Sequence, residues 1–148
     1  MSTKTIKRHI LPAASLGNSR TLTVIRYGDS GAGSKAYIQA GLHADESPGF
    51  VVMHHLIDKL DQADAADKIK GQILLVPVAN PIGVSQWRDE TLQGRFDFYN
   101  SINFNRQHLN LTEQIAERIK GRLLDTPEEN VALIRKTGKE VLSALVPE

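Results

Sequence analysis

Within Gly41-Leu42-His43-Ala44-Asp45-Glu46-Ser47-Pro48-Gly49, an imidazole and a carboxylate stand three residues apart. Zinc accepts that N/O pair, and on a turn both groups reach one ion. In catalytic sites such an ion keeps one coordination position open for water. The H-x-x-E pattern alone is weak, because on a helix it commonly marks a solvated pair. Its surroundings add weight. An apolar run at residues 36–40 leads in, and an amphipathic helical pattern at 50–60 leads out. His43 and Glu46 are therefore expected where a strand ends and a helix begins, the edge at which open α/β sheets bind ligands. Asp45, between them, either orients His43 or stays solvated.

Positioning this pair requires a strand, a helix and a second strand. Residues 35–42 read as a third strand, after strands at 5–11 and 21–27. Ile6 and Ile10 of the first are expected to face inward. Pro48 suits a first helical position with Ser47 as its N-cap. Phe50, Met53, Ile57 and Leu60 form an apolar face, with Val52 and Leu56 beside it. His54 and His55 fall in this helix, one near the margin of that face and one in solvent, neither a ligand. Residues 61–70 read as a charged linker. Residues 73–79 form a continuous apolar run, a buried strand parallel to the third, closing a right-handed βαβ unit. The fold class is α/β, a mixed sheet with a βαβ unit flanked by helices.

Outside that unit the pattern is less regular. Residues 28–34 with Lys35 imitate a phosphate-binding loop, but they lead into a strand where that loop must open a helix. A hairpin connection is the better account. Residues 80–106 lose all periodicity. A loop of that length is functional or disordered, and Trp87, Phe96, Phe98, Tyr99 and Phe104 argue for packing. Two helices come after it. One starts at the capping-box-like Asn110-x-x-Glu113 and carries Ile115, Ile119 and Leu123. The other starts at Thr126-Pro127-Glu128-Glu129, with Leu133 or Ile134, Val141, Leu142 and Leu145 on its face and Pro147 at its end.

Composition narrows the function classes. A chain of 148 residues suits one domain with a real core. With 18 basic and 17 acidic residues, the net charge of +1 points to neither nucleic acid nor a membrane surface. Cysteine is absent, so there is no disulfide framework, thiol nucleophile or thiolate zinc site. Residues 1–10 hold no secretory h-region, and no apolar run approaches a membrane span. A cytoplasmic location is expected.

The ordered set Gly41-x-His43-x-x-Glu46-x-x-Gly49, Asn80-Pro81-x-Gly83, Arg88, Gly94-Arg95-Phe96-Asp97 and Asn103-Phe104-Asn105-Arg106 resembles the succinylglutamate desuccinylase/aspartoacylase family. These are zinc-dependent deacylases related to the zinc carboxypeptidases. The resemblance implies the N-terminal portion of a zinc carboxypeptidase-like fold, with one zinc ion on His43 and Glu46. It implies hydrolysis of an amide or ester bond in a small, carboxylate-bearing, N-acyl amino acid-like substrate. Arg88 would stabilise the oxyanion. Arg95 is the alternative for that role, and is otherwise counted with Asn105 and Arg106 on the substrate. Bidentate hydrogen bonds suit Arg106 to a carboxylate. Against these roles stand an ordinary surface pair of Arg88 with Asp89 and a pair of Arg106 with Asp97.

The chain departs from the family in two places. The family's third zinc ligand is a histidine on a later strand, and its general base is a later glutamate. His108 is in no strand pattern, His9 sits in the first strand, and His54 lies about 12 Å along the helix from Glu46. Glutamates 113, 117, 128, 129 and 140 lie on helices without a motif. Residues 1–148 are therefore expected to be the N-terminal part of a truncated catalytic domain. Such a part would bind zinc weakly, be inactive alone, and expose a sheet edge that a second copy could cover as a homo-oligomer. The rival reading is a non-catalytic α/β module that binds a carboxylate or a partner protein.

Overall fold

Four strands share one mixed sheet in the order β1-β2-β4-β3, where β1 is Thr5–Leu11, β2 Arg20–Tyr27, β3 Lys35–Gln39 and β4 Gln72–Val76. The computed structural model describes residues 2–13, 15–29, 31, 33–106 and 108–145. They fall into two compact units, Met1–Arg106 and Gln107–Glu148.

In the first unit, β3 and β4 are parallel and joined by helix α1, Pro48–Ala65, which gives the expected strand-helix-strand unit. β4 carries the apolar run and takes a central place, antiparallel to β2. That placement corrects the expected hairpin between β2 and β3. The apolar β4 lies between them because a central position buries more of it than an edge would. Ser30 and Ala32 of that connection lie outside the described residues. Register brings Ile25 opposite Leu75, and Leu75 opposite Ile38, on one face of the sheet. Ile25, Tyr27, Ala40, Met53 and Leu75 form the core there, with Leu56, Ile57, Leu60, Ile69 and Ile73 against it.

Ile6 and Ile10 lie on the face of the sheet that carries Ile25, which Ile6 opposes, yet both are exposed. Among the described residues β1 is an edge strand beside β2, outside the cluster that α1 packs on, so its alternation is left without an opposing layer. β3, the other edge, is also exposed along its length.

The charged linker expected at 61–70 is helical as far as Ala65. Tertiary partners explain this. Asp64 accepts hydrogen bonds from the Ser2 hydroxyl (2.6 Å), the Thr3 hydroxyl (2.5 Å) and the Thr3 amide (2.9 Å). Asp61 accepts from Lys4 Nζ (2.7 Å) and from the Tyr27 hydroxyl (2.6 Å). The Thr3 hydroxyl in turn accepts from the Gly28 amide (2.7 Å). The N-terminal segment is thereby tied to α1 and to the end of β2.

The second unit pairs helix α3, Thr112–Ile119, with α4, Pro127–Leu145. Thr126 and Glu129 hydrogen-bond each other at the start of α4, where a helix start is expected. At α3 the cap differs: the Asn110 side chain accepts from the Thr112 amide. α3 stops at Ile119, before Gly121 with φ +69°, so Leu123 lies beyond the helix and is exposed. In α4, Thr137 and Val141 are buried while Ile134, Leu142 and Leu145 are exposed. The buried stripe runs through the face nearest α3, where Gly138 lets Ile115 approach. Pro147 lies outside the described residues.

Hydrogen bonds from Ser2 and Thr3 hold Asp64 below the usual carboxylate range, and Lys4 followed by Tyr27 does the same for Asp61. A carboxylate whose folded value is depressed adds stability that is present above its unfolded value and lost as pH falls through the folded one. Urea midpoints should therefore fall as pH drops below about 4. Asp64→Asn should be less stable at pH 7 and show a shallower acid limb. An acid limb identical to that of the unsubstituted protein would exclude Asp64 as a contributor.

Candidate metal and substrate site

Past β3 the chain leaves the sheet at Gly41, whose φ of +68° and close approach to the Phe50 ring exclude a Cβ. Residues 42–47 then form a turn ahead of α1. Its position is set by two hydrogen bonds between Ala40 and residues 76–79: Ala40 N to Val76 O, and Ala79 N to Ala40 O. Asn80 completes the tie. Its amide donates to Leu42 O (3.0 Å), and its carbonyl accepts from Gly83 N (2.8 Å) as the N-cap of α2, Pro81–Val84. The Asn80-Pro81-x-Gly83 motif thus joins the turn of the pair to the long segment that α2 begins.

Residues 80–106 are ordered by hydrogen bonding. α2 leads to a hairpin of β5, Trp87–Arg88, and β6, Thr91–Leu92, whose two turn residues Asp89 and Glu90 both have positive φ. Buried Gln86 donates to Gln93 O (3.0 Å) and Phe96 O (2.6 Å) and accepts from Phe98 N (2.9 Å). An isolated antiparallel bridge pairs Phe96 with Asn103, which brings the segments of Arg95 and Asn103 together. Gly94 then docks on the turn of the pair, its carbonyl accepting from Ala44 N at 2.9 Å.

Arg95 and Asn103 grip His43 from its two ring nitrogens. Arg95 Nη1 lies 2.8 Å from His43 Nδ1, and Asn103 Oδ1 lies 2.7 Å from Nε2. A guanidinium only donates, so Nδ1 presents a lone pair and Nε2 carries the proton, which it gives to Asn103. Asn103 Oδ1 is itself held by the Asn105 amide (3.0 Å). The other arms of Arg95 reach Glu46 Oε1 (Nη2, 2.9 Å) and Asp45 Oδ2 (Nε, 3.1 Å). The guanidinium holds Glu46 below the usual carboxylate range, and Glu46 raises Arg95 in return. His43 is 3% exposed.

Two acceptors, His43 Nδ1 and Glu46 Oε1, therefore lie 3.2 Å from each other, both against the Arg95 guanidinium. Ligands about 2.0–2.1 Å from a tetrahedral zinc stand about 3.3 Å apart. The spacing and held tautomer of this pair fit two positions of a zinc shell, and Asn103 is placed to supply the outer hydrogen bond that metal-binding histidines need. Among the described residues no group of three His, Cys, Asp or Glu side chains is placed to hold an ion.

The other predicted residues stand apart from this contact. Arg88 is exposed in β5 and makes no side-chain hydrogen bond or ion pair among the described residues, with Asp89 or with the pair. Arg106 is exposed; its Nη1 donates to Asn105 O (2.6 Å), and it forms no ion pair with Asp97. Asn105 lines a groove of about 650 Å³ between the β3 edge and the start of α1, with Glu46, Ile38, Val52 and Met53 among its walls. Asp45 holds Arg95 rather than His43. His54 and His55 are exposed, as expected. Sequence reasoning missed Asn103 and Gln86. Asn103 stood inside a motif already noted; Gln86 carried no signal, since a buried amide's partners are backbone groups of any residue.

A family model described as the succinylglutamate desuccinylase/aspartoacylase catalytic domain matches residues 32–130. A solved structure of a succinylglutamate desuccinylase/aspartoacylase family protein from Shewanella amazonensis SB2B is 33% identical over 82% of this chain and 32% of its own, with a TM-score of 0.62. Another, assigned the same two names, from Shewanella frigidimarina NCIMB 400, is 21% identical over 97% of this chain and 38% of its own, with a TM-score of 0.67. The second likeness speaks to fold alone. The chain spans between 32% and 38% of the length of these two relatives. No curated protein matches the chain.

The docking of Gly94 is testable. A Cβ there would lie 2.5 Å from Ala44 Cβ and 2.7 Å from Asp45 N. Gly94→Ala should destabilise the protein by about 1–3 kcal/mol in urea unfolding. Gly31→Ala, with open space around it, should stay within about 0.5 kcal/mol. Equal effects would mean that the two loops are not in the close contact described.

Proposed function

The chain belongs to the succinylglutamate desuccinylase/aspartoacylase family, and from that premise we propose that it carries part of the active site of a zinc-dependent hydrolase. The substrate class is a small N-acyl amino acid-like carboxylate, cleaved at its amide or ester bond. One observation carries the proposal: His43 Nδ1 and Glu46 Oε1 lie 3.2 Å apart, a spacing that suits two zinc ligands, with the His43 tautomer held by Asn103.

His43 and Glu46 would hold the ion. When bound, zinc supplies the Lewis acidity that polarises a carbonyl and makes water nucleophilic near neutral pH. Asn103 keeps the proton on Nε2, so the Nδ1 lone pair stays available. Arg95 takes the oxyanion-stabilising role ahead of Arg88, because it already stands within hydrogen-bond reach of the pair and carries a permanent charge. Asn105 in the groove wall and the exposed Arg106 guanidinium suit the substrate's carboxylate. The isolated 148-residue chain is expected to turn over N-acyl amino acids little or not at all, since two ligands hold zinc weakly.

A second reading draws on the same cluster. Arg95 already neutralises Glu46 and Asp45, so the network stands as a structural ion-pair cluster beside a groove that binds a carboxylate without turnover.

Calorimetric zinc titration separates the two. We expect weak 1:1 binding that is lost in His43→Ala and in Glu46→Gln. Asn103→Ala should weaken it by about 10–100-fold through the outer hydrogen bond. Affinity that neither ligand substitution changes would sink the metal reading in favour of the second.

A further inference from the structure

All three donor directions of the Arg95 fork go to one short turn: Nη1 to His43, Nη2 to Glu46 and Nε to Asp45. The first contact uses the one lone pair of His43 Nδ1 that a metal ion would need. His43 Nδ1 has a single lone pair, so a guanidinium and a divalent cation cannot share it, whereas the Glu46 carboxylate keeps further acceptor sites beside the one that Arg95 uses. We propose that Arg95 is a resident cation at the His43/Glu46 position, that it keeps the pair in its binding arrangement, and that it must leave His43 Nδ1 for a metal to enter. This rests on the metal reading above.

Two further observations make the exchange physically reasonable. The third contact, to Asp45, does not involve the ligand pair, so the side chain can stay tethered through Nε while its two terminal nitrogens withdraw. On that side lies a cavity of about 200 Å³ lined by Asp45, Arg95, Leu92, Gln93, Phe96 and Phe98, large enough to receive a guanidinium. The backbone of Arg95 is held by Phe104 N donating to its carbonyl (3.1 Å). Movement would therefore be confined to the side chain, while Asn103 keeps the His43 tautomer unchanged. The arginine is then a competitor that lowers apparent metal affinity and a positioning residue that prevents two unpaired acceptors from separating.

Zinc titration of Arg95→Gln beside the unsubstituted chain tests this, with His43→Ala in each background as control. The side chain is 39% exposed, so the substitution is tolerable for folding, and far-UV circular dichroism checks that. Arg95→Gln should bind zinc at least about tenfold more tightly, since the charge-assisted hydrogen bond on His43 Nδ1 no longer opposes entry. Equal or weaker binding in a folded Arg95→Gln, lost on His43→Ala, would overturn the competition while leaving the metal site standing. No binding in either background would overturn both. A metal-independent readout is the ¹⁵N spectrum of the metal-free protein. His43 Nδ1 should show an unprotonated shift and Nε2 a protonated one. The reverse pattern would overturn the resident-cation arrangement whatever the metal does.

Discussion

The contact on which the candidate site depends is the seating of Gly94 against residues 43–45. One hydrogen bond, from Ala44 N to Gly94 O, and the missing side chain at Gly94 bring two loops within van der Waals distance. These loops come from opposite ends of a long sequence interval, yet both begin at the same edge of the parallel pair β3 and β4. Asn80 reinforces that edge from below by bridging Leu42 and Gly83. With the loops seated, Arg95 and Asn103 fall on either side of the His43 ring without any regular element beneath them. Shift Gly94 outward, and the contacts of Arg95 and Asn103 with His43 are lost.

The polar groups of the first unit divide into two kinds. Gln86 and Asn80 are buried, and each is matched to backbone groups. Leaving such partners unsatisfied is costly, so these amides specify one conformation of residues 80–106. The Arg95 cluster is different. Glu46 is 60% exposed and Arg95 39%, and ion pairs at that exposure contribute little to stability. What the cluster supplies is placement: a planar fork keeps three side chains of one turn in fixed relation. That is the arrangement expected of a binding site, whose electrostatics serve a ligand more than the fold.

Much of the first unit was legible in residue patterns. β1 begins and ends where alternation predicts, and α1 begins at the Ser47-Pro48 signal. The failures share a cause. Inward-facing Ile6 and Ile10 were inferred from period alone, but burial requires an opposing layer, and an edge strand need not have one. Residues 61–65 looked like a linker because their charges are dense, whereas Asp61 and Asp64 answer to Lys4, Tyr27, Ser2 and Thr3, all distant in sequence. In the candidate site, His43 and Glu46 stood out through their spacing. Arg88 and Arg95 could not be ranked, because two arginines in an aperiodic loop have no periodicity to orient them.

The sequence by itself determined the chemical kinds present and their local setting: a His/Glu pair on a strand-to-helix turn, an aromatic loop rich in arginine, and a family resemblance carried by the order of five short motifs. Those features depend on spacing along the chain, which a linear reading measures. Only the tertiary structure decided that Arg95 rather than Arg88 meets the pair, that Asn103 holds the His43 proton, and that β4 separates β2 from β3. Each of these depends on contacts between residues far apart in the chain, or on strand order. Such contacts are settled by which apolar surfaces are buried together and which backbone groups remain to be paired, and neither quantity is a property of any local stretch.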